Sequence, residues 1–424
     1  MTNFANELTM KIAILVLFLF LTSSLTLCFS VESISQENDE GKPVHPVILM
    51  PGLAASTIEG KFDKDSSDKE CKLKQDWHKI WFDKREVDSK GIECFKENFK
   101  RDFNKKTGST SNIEGVETKV SNFGSDTFDF VFENTKYFGP LIESLLKNGY
   151  EKDVSIKGAP YDMRTSPYEM EEYFLNLKKL IEETFQQNYE KSIIILGHST
   201  GAVYSLLFLK QQSQEWKDKY IKSMINLAPV FGGTIESLLG ITIGSVPGIP
   251  FFNKKDLMEL DKSFSSLYFF LPDERVYGKN PIISLQTKDG EKKLKAYHMK
   301  KIFDLMGDKV GRKMWEKSME IIADKEFYMK NPGIKEITCL FGKGVPTPQE
   351  LFFSETGFPH KPIILEGDGD GTVNFVSHEV CLNWAAQGIT LNYSEVGQVN
   401  HIDIPGNNTV VDYVVERIDD LNKK

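Results

Sequence analysis

A serine between two glycines, an aspartate in a glycine-rich turn and a histidine close to the carboxyl end could together cut an ester. The serine stands in Gly197-His198-Ser199-Thr200-Gly201. A serine hydroxyl is a weak nucleophile until a neighbouring base takes its proton. A histidine base in turn needs a carboxylate to fix its tautomer and stabilise the imidazolium. Four of the seven histidines follow Ser199: His298, His360, His378 and His401. Chain order Ser, acid, His filters them. His298 lies in a stretch of different character, and His360 precedes the best acid. His378 comes soon after Asp370, at the start of an apparent helix, 377–386. His401 follows the last strand-like run, where a base can reach across strand tips. The acid lies in Gly367-Asp368-Gly369-Asp370-Gly371-Thr372, where Asp368 and Asp370 compete. A calcium loop fits this D-x-D poorly, because too few oxygen ligands follow at EF-hand spacing. No Cys-x-x-Cys or His-x-x-x-His spacing occurs, so neither metal nor cofactor is expected.

These side chains need elements to hold them. The run Ser192-Ile193-Ile194-Ile195-Leu196 precedes the pentapeptide as a strand, and 202–209 follows as a helix. Strand, Gly-x-Ser-x-Gly, helix is the setting of a nucleophile elbow. Upstream, Val47 to Met50 reads as a buried strand ended by Pro51-Gly52, where one oxyanion-hole N–H would sit. Helices are expected over 137–147 and 169–187, and strands at 154–156, 223–227, 336–342, 363–365 and 389–396. A closing helix follows over 408–421. Strands separated by helices mean a mostly parallel, doubly wound α/β sheet.

Two stretches break the alternation. Residues 60–110 are rich in lysine and contain Trp77, Ile80 and Trp81 at i, i+3, i+4, an apolar helical face. That face turns either outward to lipid or inward to the core. Residues 231–335 combine glycines with Ile, Leu and Phe, as in a cap or lid over an apolar pocket.

Net charge is −9, which argues against a nucleic-acid partner. Lys11 precedes the apolar run 12–21, and Cys28 and Ser30 suit a cleavage site, so residues 1–30 read as a signal peptide. An uncleaved anchor is the alternative, interrupted by Thr22-Ser23-Ser24. Export leaves Cys71, Cys94, Cys339 and Cys381, an even set that suggests disulfides. Local pairing is the simplest of three possibilities. Asn392 and Asn407 begin glycosylation sequons.

The chain resembles the lecithin:cholesterol acyltransferase family of α/β-hydrolases. Matching blocks are His45–Gly52, Ile80-Trp81-Phe82, Gly158–Arg164, the pentapeptide, Trp216–Ile221, Leu227-Ala228-Pro229 and Gly232-Gly233. Further blocks are Gly342–Pro348, Gly367–Asn374 and His401-Ile402. Within the family the motifs are most similar to the lysosomal phospholipase A and transacylase branch. The resemblance implies a Ser199–Asp370–His401 triad, because the family acid directly precedes Gly-Thr-Val. It implies an oxyanion hole from the Leu53 and Thr200 backbone N–H groups. It implies a Cys71–Cys94 bond in a membrane-binding insertion carrying Trp77, Ile80, Trp81 and Phe82, and relatives also bridge the Cys339 and Cys381 positions. Three residues depart from the pattern. Leu53 stands where the lysosomal branch has an acid thought to tune pH preference, Met163 replaces a tryptophan, and Thr200 replaces a methionine.

The expected organisation is a signal over 1–30, a mobile arm over 31–45 and an α/β-hydrolase core over 46–65, 106–230 and 336–424. A membrane-binding insertion occupies 66–105 and a cap or lid 231–335. The expected activity is cleavage of a glycerophospholipid acyl ester through an acyl-serine, with transfer to water or a lipid alcohol. The partner is a phospholipid membrane or lipoprotein surface, in the secretory pathway, outside the cell or in the lysosomal or endosomal lumen. The alternatives are a soluble carboxylesterase, a sterol or diacylglycerol acyltransferase of the same family, or a catalytically silent lipid carrier.

Overall fold

Six parallel strands carry the site. The computed structural model describes residues 43–64, 71, 74–81, 83, 91–125, 137–245 and 254–424. The signal segment, most of the arm and Phe82 lie outside them. The main sheet has the order β15-β12-β9-β8-β1-β7, with β1 Val47–Met50, β7 Ile156–Gly158 and β8 Ile193–His198. Its other strands are β9 Ile221–Leu227, β12 Glu336–Lys343 and β15 Thr390–Gly397. Every neighbouring pair is parallel. An uninterrupted Ile-Ile-Ile-Leu run suits β8 because both faces of a parallel sheet are covered. Ile193 and Ile195 pack with Leu177 and Ile181 of helix Glu171–Gln187 and with Leu206 of helix Thr200–Lys210. Ile194 and Leu196 pack on the other side with Leu141 of helix Gly139–Lys147 and Val414 of helix Asn408–Lys423. The fold is thus the expected α/β-hydrolase sandwich, with insertions.

The strand expected at 363–365 forms, as β14 Pro362–Gly367, but it does not join the main sheet. It pairs with β13 Thr347–Phe353 in a separate sheet of order β11-β10-β13-β14, with β10 Pro281–Thr287 and β11 Gly290–Lys295. The chain therefore leaves the core after β12 and returns only at Asp370. The stretch 231–335 contains strands as well as helices: β10 and β11 form an antiparallel hairpin within it.

The helical reading of 74–81 is corrected. Lys74–Trp81 is strand β3, paired antiparallel with β2 Ile58–Asp63, which also pairs with β6 Val116–Val120. A strand covered at one end by helix Ile92–Phe99 also buries closely spaced apolar residues. Trp77 is 37% exposed, whereas Ile80 and Trp81 are 2% and 3% exposed. The Trp81 ring stacks on Phe99, 5.3 Å between centroids, and its indole N–H donates to the Ala54 carbonyl at 2.9 Å. Ile80 and Trp81 therefore face the core. A small antiparallel pair, β4 Arg101–Phe103 and β5 Thr110–Asn112, adjoins this region.

Both local disulfides form. Cys71–Cys94 joins the segment before β3 to helix Ile92–Phe99. Cys339–Cys381 joins β12 to the 3-10 segment Glu379–Trp384.

Candidate active site

Ser199 follows β8 directly and opens helix Thr200–Lys210. Its backbone is in a sparsely allowed region for a non-glycine residue, φ 55° and ψ −122°. The flanking glycines make that turn possible. A Cβ on Gly197 would lie 2.6 Å from the Ala202 Cα, and one on Gly201 would lie 2.3 Å from the Met50 carbonyl oxygen. The register sets Met50 of β1 beside Gly197, so the Pro51–Leu53 turn leaves its strand next to the serine. His401 opens a 3-10 turn after β15. All three arrive at the carboxyl edge of the sheet, where open α/β folds place ligands.

The Ser199 hydroxyl donates to His401 Nε2 at 2.8 Å. His401 Nδ1–H donates to Asp370 Oδ2 at 2.7 Å, and the His401 backbone N–H donates to the Asp370 carbonyl at 2.8 Å. Asp370 is fully buried. Burial alone would raise its carboxyl, but the His401 and His378 imidazoles override that and hold it far below the usual carboxylate range. Its Oδ1 accepts the backbone N–H groups of Thr372 and Val373 at 3.1 and 2.7 Å. Asp368 is occupied elsewhere: its Oδ1 accepts the Gly344 and Gly369 N–H groups. The two competing aspartates are thus separated by geometry, and only Asp370 meets a histidine.

Three residues outside the sequence-based set complete the frame. The Gly52 N–H donates to Tyr137 Oη at 2.7 Å, and the Tyr137 hydroxyl meets His198 Nδ1 at 2.7 Å. His198 Nε2 meets the His401 carbonyl at 3.1 Å. A carbonyl only accepts, so Nε2 carries the ring proton and Tyr137 donates to Nδ1. Burial, then repulsion from His401, holds His198 well below its ordinary value, so it stays neutral. This chain of donors ties the Pro51–Leu53 turn to the His401 loop. Tyr137 had no sequence signal. His198 stood in view within the pentapeptide, but its contacts join three distant loops.

The third is Glu236, at the start of helix Ile235–Ile243. It lines a cleft of about 820 Å³, open mouth included, with Leu53, Ser199, Thr200, His401 and Phe270. The cleft is mainly apolar, as the walls of ligand pockets are. Burial pushes the Glu236 carboxyl up to about 8. A second, smaller apolar cavity, about 30 Å³, shares Leu53, Ala54 and Leu267 with the first and holds buried Asp261 among Trp81 and Phe264. Leu53 and Thr200 both line the cleft beside Ser199. Thr200 is the first residue of its helix, where backbone N–H groups lack an intrahelical acceptor. The sequon residues lie away from the cleft: Asn392 is on β15, and Asn407 caps helix Asn408–Lys423.

A family profile described as lecithin:cholesterol acyltransferase matches residues 77–303 and 285–408. The chain belongs to the lecithin:cholesterol acyltransferase family. Human phosphatidylcholine-sterol acyltransferase is 30% identical over 383 residues, covering 87% of this chain and 83% of the relative. Human lysosomal phospholipase A and acyltransferase is 32% identical over 385 residues, covering 87% and 89%. These values do not separate the two branches. Among solved structures, a chain of the Tle4-Tli4 complex superposes with a TM-score of 0.54 at 13% identity, covering 89% of this chain and 99% of that one. That likeness concerns the fold. Membership of the acyltransferase family makes the chain an enzyme of lipid acyl hydrolysis or transfer.

Proposed function

We propose that the protein cleaves a fatty acyl ester of glycerophospholipids through an acyl-serine and passes the acyl group to water or a lipid alcohol. The observation that carries this is the unbroken hydrogen-bond line Ser199–His401–Asp370 at the floor of an apolar cleft. Ser199 Oγ attacks the ester carbonyl while its proton passes to His401 Nε2. Asp370 fixes the His401 tautomer and balances the imidazolium. The Leu53 and Thr200 N–H groups receive the oxyanion, a kind of contact worth roughly 3–4 kcal/mol per donor. His401 returns the proton to the leaving lysolipid oxygen. The acceptor hydroxyl then repeats the sequence in reverse and releases Ser199. Transfer in preference to hydrolysis needs water kept from the acyl-enzyme. The apolar segment 231–335 beside the cleft supports a role as lid, and the exposed ring of Trp77 leaves the 66–105 insertion a point of contact with lipid.

The lysosomal branch is the reading we favour on its shared motifs, with an oxidising luminal or extracellular setting suggested by the two disulfides. Purified enzyme on phosphatidylcholine liposomes, with ceramide, sterol or diacylglycerol added, is expected to yield a lysolipid and an acylated alcohol by mass spectrometry. Ser199→Ala should lower both by about a thousandfold or more. Normal cleavage by that variant would sink the reading. The burial of Ile80 and Trp81 favours one second reading, a soluble esterase. Equal turnover of monomeric esters and liposomes would select it.

A further inference from the structure

The peptide that joins Pro51 to Gly52 is held at both ends. Its N–H, on Gly52, donates to Tyr137 Oη at 2.7 Å. Its C=O, on Pro51, accepts from the Tyr161 hydroxyl at 2.8 Å. Tyr161 Oη also lies 2.6 Å from Thr200 Oγ1. A phenol has one proton and a carbonyl only accepts, so Tyr161 donates to Pro51 and Thr200 donates to Tyr161. Tyr137 likewise receives from Gly52 and donates to His198 Nδ1. Burial raises both phenols well above their ordinary value, so both protons stay in place.

The sheet explains this meeting. β1 lies between β7 and β8. Pro51 leaves the end of β1, Tyr161 comes shortly after β7, and Thr200 comes shortly after β8. The Tyr161 bridge therefore spans the carboxyl ends of three neighbouring strands. Its ring is fixed in turn, edge-on to Tyr204 with 4.4 Å between centroids. The turn also presses on the nucleophile. A Cβ on Gly52 would lie 3.0 Å from the Ser199 Cβ and 2.9 Å from His198 Nδ1.

We propose that Tyr137, Tyr161 and the Thr200 hydroxyl are positioning groups that lock the Pro51–Gly52 peptide and so aim the Leu53 N–H at the oxyanion. This rests on the reading of Leu53 and Thr200 as the oxyanion donors. A planar peptide held by its C=O and its N–H cannot turn over without breaking both bonds. The next N–H along the chain belongs to Leu53, and its direction follows from that plane. The Gly52 N–H is spent on Tyr137, so within the turn the donor role falls to Leu53, which lines the cleft. Thr200 enters twice. Its backbone N–H is the second donor, and its hydroxyl, through Tyr161, sets the turn that carries the first. Donors fixed before the reaction need no rearrangement when charge develops. Thr200 stands where the resemblance places a methionine, a side chain with no hydroxyl to make this bridge.

Two substrates read the alignment. Attack on p-nitrophenyl butyrate develops an oxyanion. Attack on its thiono analogue, with C=S in place of C=O, develops a thiolate, larger and weaker as an acceptor. Wild type should prefer the ester. Tyr161→Phe should lower kcat for the ester with KM little changed, and the ester-to-thionoester ratio of kcat should fall about tenfold, part of the hundredfold or more that outright loss of a donor costs. Thr200→Val keeps the backbone N–H and the side-chain shape, so the ratio should fall less, about threefold, and Thr200→Ser should restore it. Equal losses on both substrates, with the ratio unmoved, would mean that these side chains only pack, and would overturn the inference. If Tyr161→Phe does not fold, Thr200→Val decides alone, and a ratio equal to that of wild type overturns it. A wild type that turns over ester and thionoester alike would instead sink the oxyanion-hole reading, and the lock with it.

Discussion

Glu236 is the residue that brings a second titration to the cleft. Its carboxyl lines the cavity beside Ser199, one of its oxygens is buried with no hydrogen-bond partner, and burial raises it from 4.5 to about 8. The folded protein thus keeps a proton that the unfolded chain releases near 4.5. Between those two values unfolding releases a proton, so stability falls as pH rises, and the loss is complete above the folded value. Glu236→Gln should therefore flatten the decline in Tm between pH 5 and pH 8, seen by thermal unfolding in matched buffers. Identical slopes in wild type and variant would refute this. The residue was invisible as a functional group in the sequence, where it is one acid among 61 acidic residues. Ser199 and His401 could be picked out because local spacing and chain order constrain them. Asp370 was separable from Asp368 only through resemblance, and the structure gives the physical difference: one carboxylate meets His401, the other is consumed by backbone N–H groups.

At the scale of elements, β3 shows where periodicity misleads. Trp77, Ile80 and Trp81 satisfy a helical face, yet the segment is a strand because β2 offers an antiparallel partner, a long-range fact that spacing does not carry. The correction moves Trp81 from a lipid-facing part to a support of the cleft. Its indole N–H holds the carbonyl of Ala54, whose φ of 65° is itself unusual, one residue past Leu53. Trp81→Phe keeps most of the ring packing and leaves that buried carbonyl unpaired, a loss of about 1–3 kcal/mol. The expected outcome is a lower unfolding midpoint and a severalfold lower kcat/KM on a monomeric ester, with no lipid in the assay. Activity lost only on liposomes would instead return Trp81 to the membrane. The core strands β1, β8, β9 and β12 were legible as largely apolar runs ended by turn residues, and β15 by its alternation. β13 was not, since Thr347-Pro348-Gln349-Glu350 lacks that pattern.

Across the whole molecule the site depends on the chain returning to one place. After β12 it departs into the second sheet through β13 and β14, then comes back so that Asp370 sits against Gly342 at the end of β12. The return is secured twice: by the Val345–Asp370 bridge and by the Cys339–Cys381 disulfide, which fixes the segment just beyond His378 to the same strand. Closing a loop of 42 residues is worth about 4 kcal/mol in the chain-entropy model. The Cys71–Cys94 bond closes a shorter loop, remote in sequence from Asp370. Replacing Cys339 and Cys381 together by Ala should therefore do more than lower Tm by several degrees. It should loosen the segment that holds Asp370 and His378, so the rate of Ser199 labelling by a fluorophosphonate should fall at temperatures well below the unfolding transition. Replacing Cys71 and Cys94 should lower Tm while leaving that rate much nearer wild type. If both pairs slow labelling equally below their transitions, the disulfides act only on global stability, and the main sheet alone suffices to hold the site.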